Sequence, residues 1–157
     1  KEGRAQDAAD HFKRTRELYP AFLPAALLEA DAASRSKQLD RAVALVLDVA
    51  PHFDPGKATR DVMGLLWSGD QGPALPKVVE GLRAALAAQP ANPHLHAHLA
   101  MALFQSSKEE EARRAVILAE RSGLAGRDGW PAALVFEVFR IKNPLGETEP
   151  PPGGDGR

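Results

Sequence analysis

The sequence contains no cysteine, which excludes disulfides, thiolate metal sites and cysteine nucleophiles together and leaves reducing and oxidising compartments both open. Aromatic residues are few, at 6% of 157 positions. No alternating apolar run is bounded by a hairpin turn such as Asn-Gly, so the chain lacks the signals of a sheet. No stretch reaches the roughly 18 consecutive apolar residues that a membrane helix needs. The opening residues KEGRAQDAADHFKR are polar and charged, unlike a basic cap on an apolar leader. Charge of one sign is lacking too. Lys+Arg at 20 against Asp+Glu at 21 leaves a net charge of -1, and no global field draws the chain to nucleic acid or anionic lipid. A soluble chain is expected, with cytoplasm and periplasm both allowed and any partner recognised locally.

What is present is alanine and leucine, in a chain that is 44% hydrophobic and long enough to bury one continuous core. Residues 5 to 18, AQDAADHFKRTREL, place Ala5, Ala8, Ala9, Phe12 and Leu18 at three-to-four spacing before Pro20 closes the segment. Further apolar runs follow: LPAALLEADAAS, LDRAVALVLDVA, DVMGLLW, VVEGLRAALAA, the pair within HLAMALFQSSKEEEARRAVILAE, and PAALVFEVFRI. Pro51, Pro90 and the turn-rich SGDQGPALP separate several of them. The spacing predicts an all-α fold of seven or eight short helices. Residues 94 to 105 should form one helix, Ser106, Ser107 and Lys108 a turn, and residues 109 to 121 its antiparallel return.

The helices repeat. Ala8, Ala42, Val78 and Ala112 are spaced 34, 36 and 34 apart, and so are Phe12, Val46, Leu82 and Val116, and Thr15, Val49, Ala85 and Ala119. Ala30, Gly64 and Ala100 keep the same steps on the preceding segments. Ala30 to Ala42 and Ala100 to Ala112 are both 12 residues, whereas Gly64 to Val78 is 14, which puts the extra two residues in SGDQGPALP. Turns tolerate such insertions; packed helices do not. Small residues at 30, 64 and 100 would let paired backbones approach, with Phe12, Val46, Leu82 and Val116 filling the space between pairs.

This pattern resembles the tetratricopeptide repeat, a 34-residue helix-turn-helix unit with a W-x2-L-G-x2-Y then A-x3-F signature. Met63, Gly64 and Trp67 carry the resemblance best, followed by Leu99, Ala100, Leu103, Ala112 and Val116; Glu29 stands where a leucine is expected. The resemblance implies a right-handed superhelical stack of antiparallel helix hairpins: the second helix of a truncated repeat at 1–22, full repeats at 23–56, 57–92 and 93–126, and a capping helix at 127–143. Residues 144–157, GETEPPPGGDGR at their end, have nothing to bury and read as a flexible tail. A missing first helix before residue 1 suggests a piece of a longer array, and the Ala-, Arg- and Pro-rich style suggests a GC-rich bacterial genome.

The resemblance also implies a function, a non-enzymatic scaffold that binds a peptide segment or partner protein on its concave face. By register that face carries Leu27, Asp31, Ser34 and Arg35, then Asp61, Leu65 and Ser68, then His94, Ala97, Met101, Phe104 and Gln105. Met101 and Phe104 would either hold an anchor residue or cover neighbouring helices. The paired Lys and Asn with which chaperone-cofactor members clamp a terminal carboxylate are absent from these columns, and the two acids suggest a basic or apolar ligand. The alternative is a regulatory or self-assembly domain of a larger enzyme or secretion apparatus, docking through its end helices, where Phe136, Phe139 and Ile141 would reach a second chain or domain.

No catalytic motif is present: no G-x-S-x-G elbow, no G-x-x-x-x-G-K-[ST] loop and no H-E-x-x-H. No cofactor is expected. His94 and His98 share a helix face, but His96 points elsewhere and no acid sits at ligand spacing, so no metal site is expected. His96 should face the core. Glu29 should be solvated or paired with an arginine such as Arg41, the alternative being a buried functional carboxylate.

Overall fold

A computed structural model of the protein describes residues 2–20, 22, 24–52, 54–55, 57–68 and 74–124. Among these residues the secondary structure is all helical: α1 (Glu2–Leu18), α2 (Pro24–Arg35), α3 (Leu39–Val49), α4 (Lys57–Ser68), α5 (Leu75–Ala88), α6 (Pro93–Gln105) and α7 (Glu109–Ala119), closed by a wide helical turn at Glu120–Leu124. Gly123, at φ 114, bends the chain out of that turn, a conformation that side chains with a Cβ resist. The expected capping helix at 127–143 and the tail at 144–157 lie outside the described residues.

Two turns explain why the chain folds back where it does. Ser36 and Ser106 each donate their backbone N–H to a helix carbonyl, that of Ala32 or Ala102, and each hydroxyl donates to the same oxygen, at 2.9 and 2.7 Å. The next residues, Lys37 (φ 64) and Ser107 (φ 58), adopt the left-handed conformation. Lys37 N–H then reaches Ser34 O and Gln38 N–H reaches Ala33 O; Ser107 N–H reaches Phe104 O and Lys108 N–H reaches Leu103 O. This is the paired bonding that ends a helix and reverses the chain, although neither turn uses the usual glycine. The α2–α3 and α6–α7 turns therefore share these four bonds, 70 residues apart. The α4–α5 connection is longer, from 69 to 74, consistent with the extra residues of SGDQGPALP.

Packing follows this register. The spacing columns at 42, 78 and 112 and at 46, 82 and 116 are fully buried on α3, α5 and α7, while Ala8 and Phe12 on α1 are half-buried. α2 packs on α1, α3 and α4, and α6 packs on α5 and α7. The central pair is looser: α4 leans mainly on α2 and α5 mainly on α6, with little contact between α4 and α5. Leu82, Leu95, Leu66, Met63 and Val46 fill the main core, which runs through α2 to α7, each contributing about 1.5–3 kcal/mol.

Gly64 departs from expectation. Ala30 and Ala100 are fully buried, yet a Cβ built on Gly64 meets nothing within 4 Å. Close approach does not require glycine there. Among the described residues, the glycine on which a Cβ would clash is Gly81 on α5, against the side chain of Leu47 on α3.

Candidate functional site

The surface that α2 and α4 leave uncovered starts from the alanines of PAALLEADAASR. Ala25, Ala26, Ala30 and Ala33 turn inward because they permit close contact with α1, α3 and α4. Pro24, Leu28, Asp31 and Arg35, spaced four, three and four apart, are left as the outward stripe. Leu28 keeps 41% of its surface. Arg35 grips Asp31 with two bonds, Nε to Oδ2 at 2.8 Å and a terminal nitrogen to Oδ1 at 3.0 Å. The Asp31 hydrogen bond and charge, reinforced by the charge of Asp61 on α4, hold the Arg35 pKa above its ordinary value. On α4, Asp61 and Ser68 are exposed, Leu65 is half-buried, and Trp67 keeps 43% of its surface. Asp31, Arg35 and Asp61 are thus brought together across α2 and α4, with Leu28 exposed on the same face of α2; Trp67, about 120° around α4 from Asp61, is exposed on another side of that helix.

The remaining residues assigned to the concave face are placed differently. Leu27 and Ser34 are buried, seven residues apart on the inner side of α2, and Ser34 Oγ donates to Ala30 O at 2.9 Å. Ser68 Oγ makes the same bond to Gly64 O. Ala97 packs with Ala119 of α7, and Met101 is part of the main core at 5% exposure. Phe104 and Gln105 are half-buried. α6 is buried continuously from Leu95 to Leu103, so a helix-wheel argument that reserves one side of it for a partner misjudges how many elements surround it. Leu28 was missed for a related reason: the repeat register selected its neighbour Leu27, whereas the 4-3-4 spacing of the non-alanine residues marks Leu28. Phe136, Phe139 and Ile141 lie outside the described residues.

At the other end of α6, Asn92 caps the helix by accepting from His94 N–H at 3.0 Å and Leu95 N–H at 3.2 Å, with Pro93 in the first turn. The Asn92 amide donates to Pro51 O, and His94 Nδ1 lies 2.8 Å from Asp54 Oδ1. His94 thereby ties α6 to the loop after α3. His96 is buried, with Nε2 donating to Pro90 O at 2.9 Å, and His98 is fully buried. Among the described residues no cluster of three or more His, Cys, Asp or Glu is placed to hold a metal.

Glu29 is buried at 1% exposure, so it is not solvated. It is paired with Arg41, whose Nε and a terminal nitrogen reach Oε1 at 3.1 and 2.8 Å. Arg16 of α1 is a second partner, with Nε 3.1 Å from Oε2. One carboxylate therefore joins α1, α2 and α3. Arg16 was the partner the sequence left hidden, because thirteen residues and a helix boundary separate it from Glu29.

No helix among the described residues is long and apolar enough to cross a membrane. Comparison with protein-family models, with curated proteins and with solved structures returns no match.

Proposed function

We propose that this protein is a tetratricopeptide-like stack of helical hairpins that acts as a non-enzymatic scaffold, binding a segment of another protein across the exposed faces of α2 and α4. The observation that carries this reading is exposed Leu28 on the same stripe of α2 as the Asp31–Arg35 pair, which the charge of Asp61 on α4 reaches. An aliphatic group beside fixed charges is what an anchor contact and its polar rim need. The two matching turns support the repeat part of the reading, since equal reversals stack pairs in equal steps. Asp31 and Asp61 favour a bound segment that is basic or apolar.

The test is capture from cell extract on immobilised protein, comparing wild type with Leu28→Glu, Asp61→Lys and, as a control on another face, Leu118→Glu; Leu118 is 45% exposed on α7. Loss of the same bound species in the first two variants alone is expected. Retention in all three would remove α2 and α4 from the binding surface. Met101→Glu is unsuitable because it would place a charge in the core.

A further inference from the structure

A second surface lies on the other side of α2, where α1 and α3 stand apart above Glu29. Three large apolar side chains crowd the corner where α1 ends and α2 begins: Leu18, Tyr19 and Phe22 are 66%, 65% and 50% exposed. Single exposed apolar residues are ordinary, but three within five positions are a patch. Beside them opens a cavity of about 290 Å³ floored by Pro20, Phe22, Ala26 and Val49 and rimmed by Arg16, Glu17 and Asp48. That volume is at the lower limit for small-molecule pockets and suits one inserted side chain better than a drug-sized ligand.

The rim's charges are sorted. Arg16 turns inward, with Nε on buried Glu29, and remains only 34% exposed. Asp48 is 66% exposed and meets Arg16 at no closer than 3.5 Å. Glu17 is 63% exposed and its contact with Lys13 is 4.0 Å long. Neither outward pair is strong enough to hold its carboxylate against a better cation. The corner therefore offers solvent an apolar cavity flanked by two carboxylates, with the Arg16 guanidinium shared between buried Glu29 and Asp48.

We propose that this corner is a docking site for a protein segment that inserts an aromatic or aliphatic side chain into the cavity and sets an adjacent lysine or arginine on Asp48 and Glu17. The site is independent of the α2–α4 face and stands whether or not that face binds a partner.

The experiment follows the backbone amide signals of the ¹⁵N-labelled protein during titration with acetyl-phenylalanyl-lysine amide and, separately, acetyl-phenylalanyl-glutamate amide. The lysine peptide should shift Phe22, Ala26 and Val49, and bind at least about fivefold more tightly than the glutamate peptide, a ratio that equals about 1 kcal/mol. Asp48→Asn and Glu17→Gln should each reduce that preference, and Glu17→Lys should abolish it. Since both positions are mostly solvent-exposed, circular dichroism should show unchanged helicity, and Glu17→Gln alone decides the matter if Asp48→Asn disturbs Arg16. Equal affinity for the two peptides, shifts confined to α4 and α6, or no shift overturns the proposal. Concentration-dependent broadening of the same signals without peptide also overturns it, because a second copy would then be the occupant.

Discussion

Glu29 shows what one misplaced polar residue requires of its surroundings. It occupies a position where the repeat pattern expects leucine, and a buried carboxylate is tolerated only with partners that satisfy both oxygens. Arg41 takes Oε1 and Arg16 takes Oε2, while both arginines keep about a third of their surface in water. Arg16→Met or Arg41→Met alone leaves Glu29 one guanidinium and should cost about 1 kcal/mol. The double substitution strands a buried charge and should cost about 3–5 kcal/mol, more than the sum. Urea denaturation of the four proteins reads this coupling directly. Additive losses would mean that the carboxylate escapes to solvent and that the three-helix junction rests on apolar contact alone. At the end of α7, burial raises the carboxyl pKa of Glu120 above the ordinary 4.5. A folded-state pKa above the unfolded one makes a contribution that is complete below pH 4.5 and is lost as pH rises through the higher folded value. Wild type should therefore gain melting temperature relative to Glu120→Gln as the pH falls from 7 to about 4.5. An unchanged difference across that window would show that Glu120 is as well hydrated in the fold as in the unfolded chain.

Among the elements, the glycines and turns divide by what surrounds them. Gly64 has open space where a methyl group would go, so Gly64→Ala should stabilise α4 by about 0.5–1 kcal/mol through helix propensity. A Cβ on Gly81 would clash with the methyl groups of Leu47 on α3, so Gly81→Ala should cost about 1–3 kcal/mol through displacement of that side chain. Thermal melts of the two variants should move in opposite directions; movement in one direction would discredit the packing of α3 on α5. Ser107→Gly should add about 0.5–1 kcal/mol by relieving a left-handed residue while keeping both turn bonds, and Lys37→Gly should do the same within error because the turns match. Different shifts at 37 and 107 would weaken the equivalence of the α2–α3 and α6–α7 turns. Most of this was legible in the sequence. Helix positions followed from apolar periodicity, and the Ser106–Lys108 turn from a break without glycine or proline. The open space at residue 64 was not legible, because a small residue says that neighbours are allowed near and not that they are there. The surface of α6 was equally hidden. Met101 and Ala97 have a spacing that fits an exposed stripe or a buried one, and only the number of surrounding elements decides between them.

For the whole molecule, the question is whether the helices form one cooperative globule or a line of neighbours. Contacts run locally: α2 on α1, α3 and α4, then α5 and α7 on α6, with α3, α5 and α7 linked along their outer edge by Asp40–Lys77 and Arg83–Glu111. These exposed pairs add little energy, so coupling along the line rests on apolar burial, and that burial is uneven. α6 is buried at nine consecutive positions, Leu95 to Leu103. On α1, Ala9 is the buried residue among those whose side chains are described, and Arg16 supplies one polar tie, to Glu29 and Asp48, beside those of Gln6 to Gln38 and Asp10 to Arg41. In a linear array, stability is a sum of unit and neighbour terms, and an end with few buried contacts opens without the rest. Amide hydrogen exchange should therefore find α1 the least protected helix and α6 the most, with a gap of at least about tenfold, or about 1.4 kcal/mol. Arg16→Met should widen the gap by loosening α1 while leaving α6 protection unchanged. Uniform protection across α1 and α6, lowered equally by Arg16→Met, would identify a single cooperative unit in which the repeat spacing has no energetic meaning.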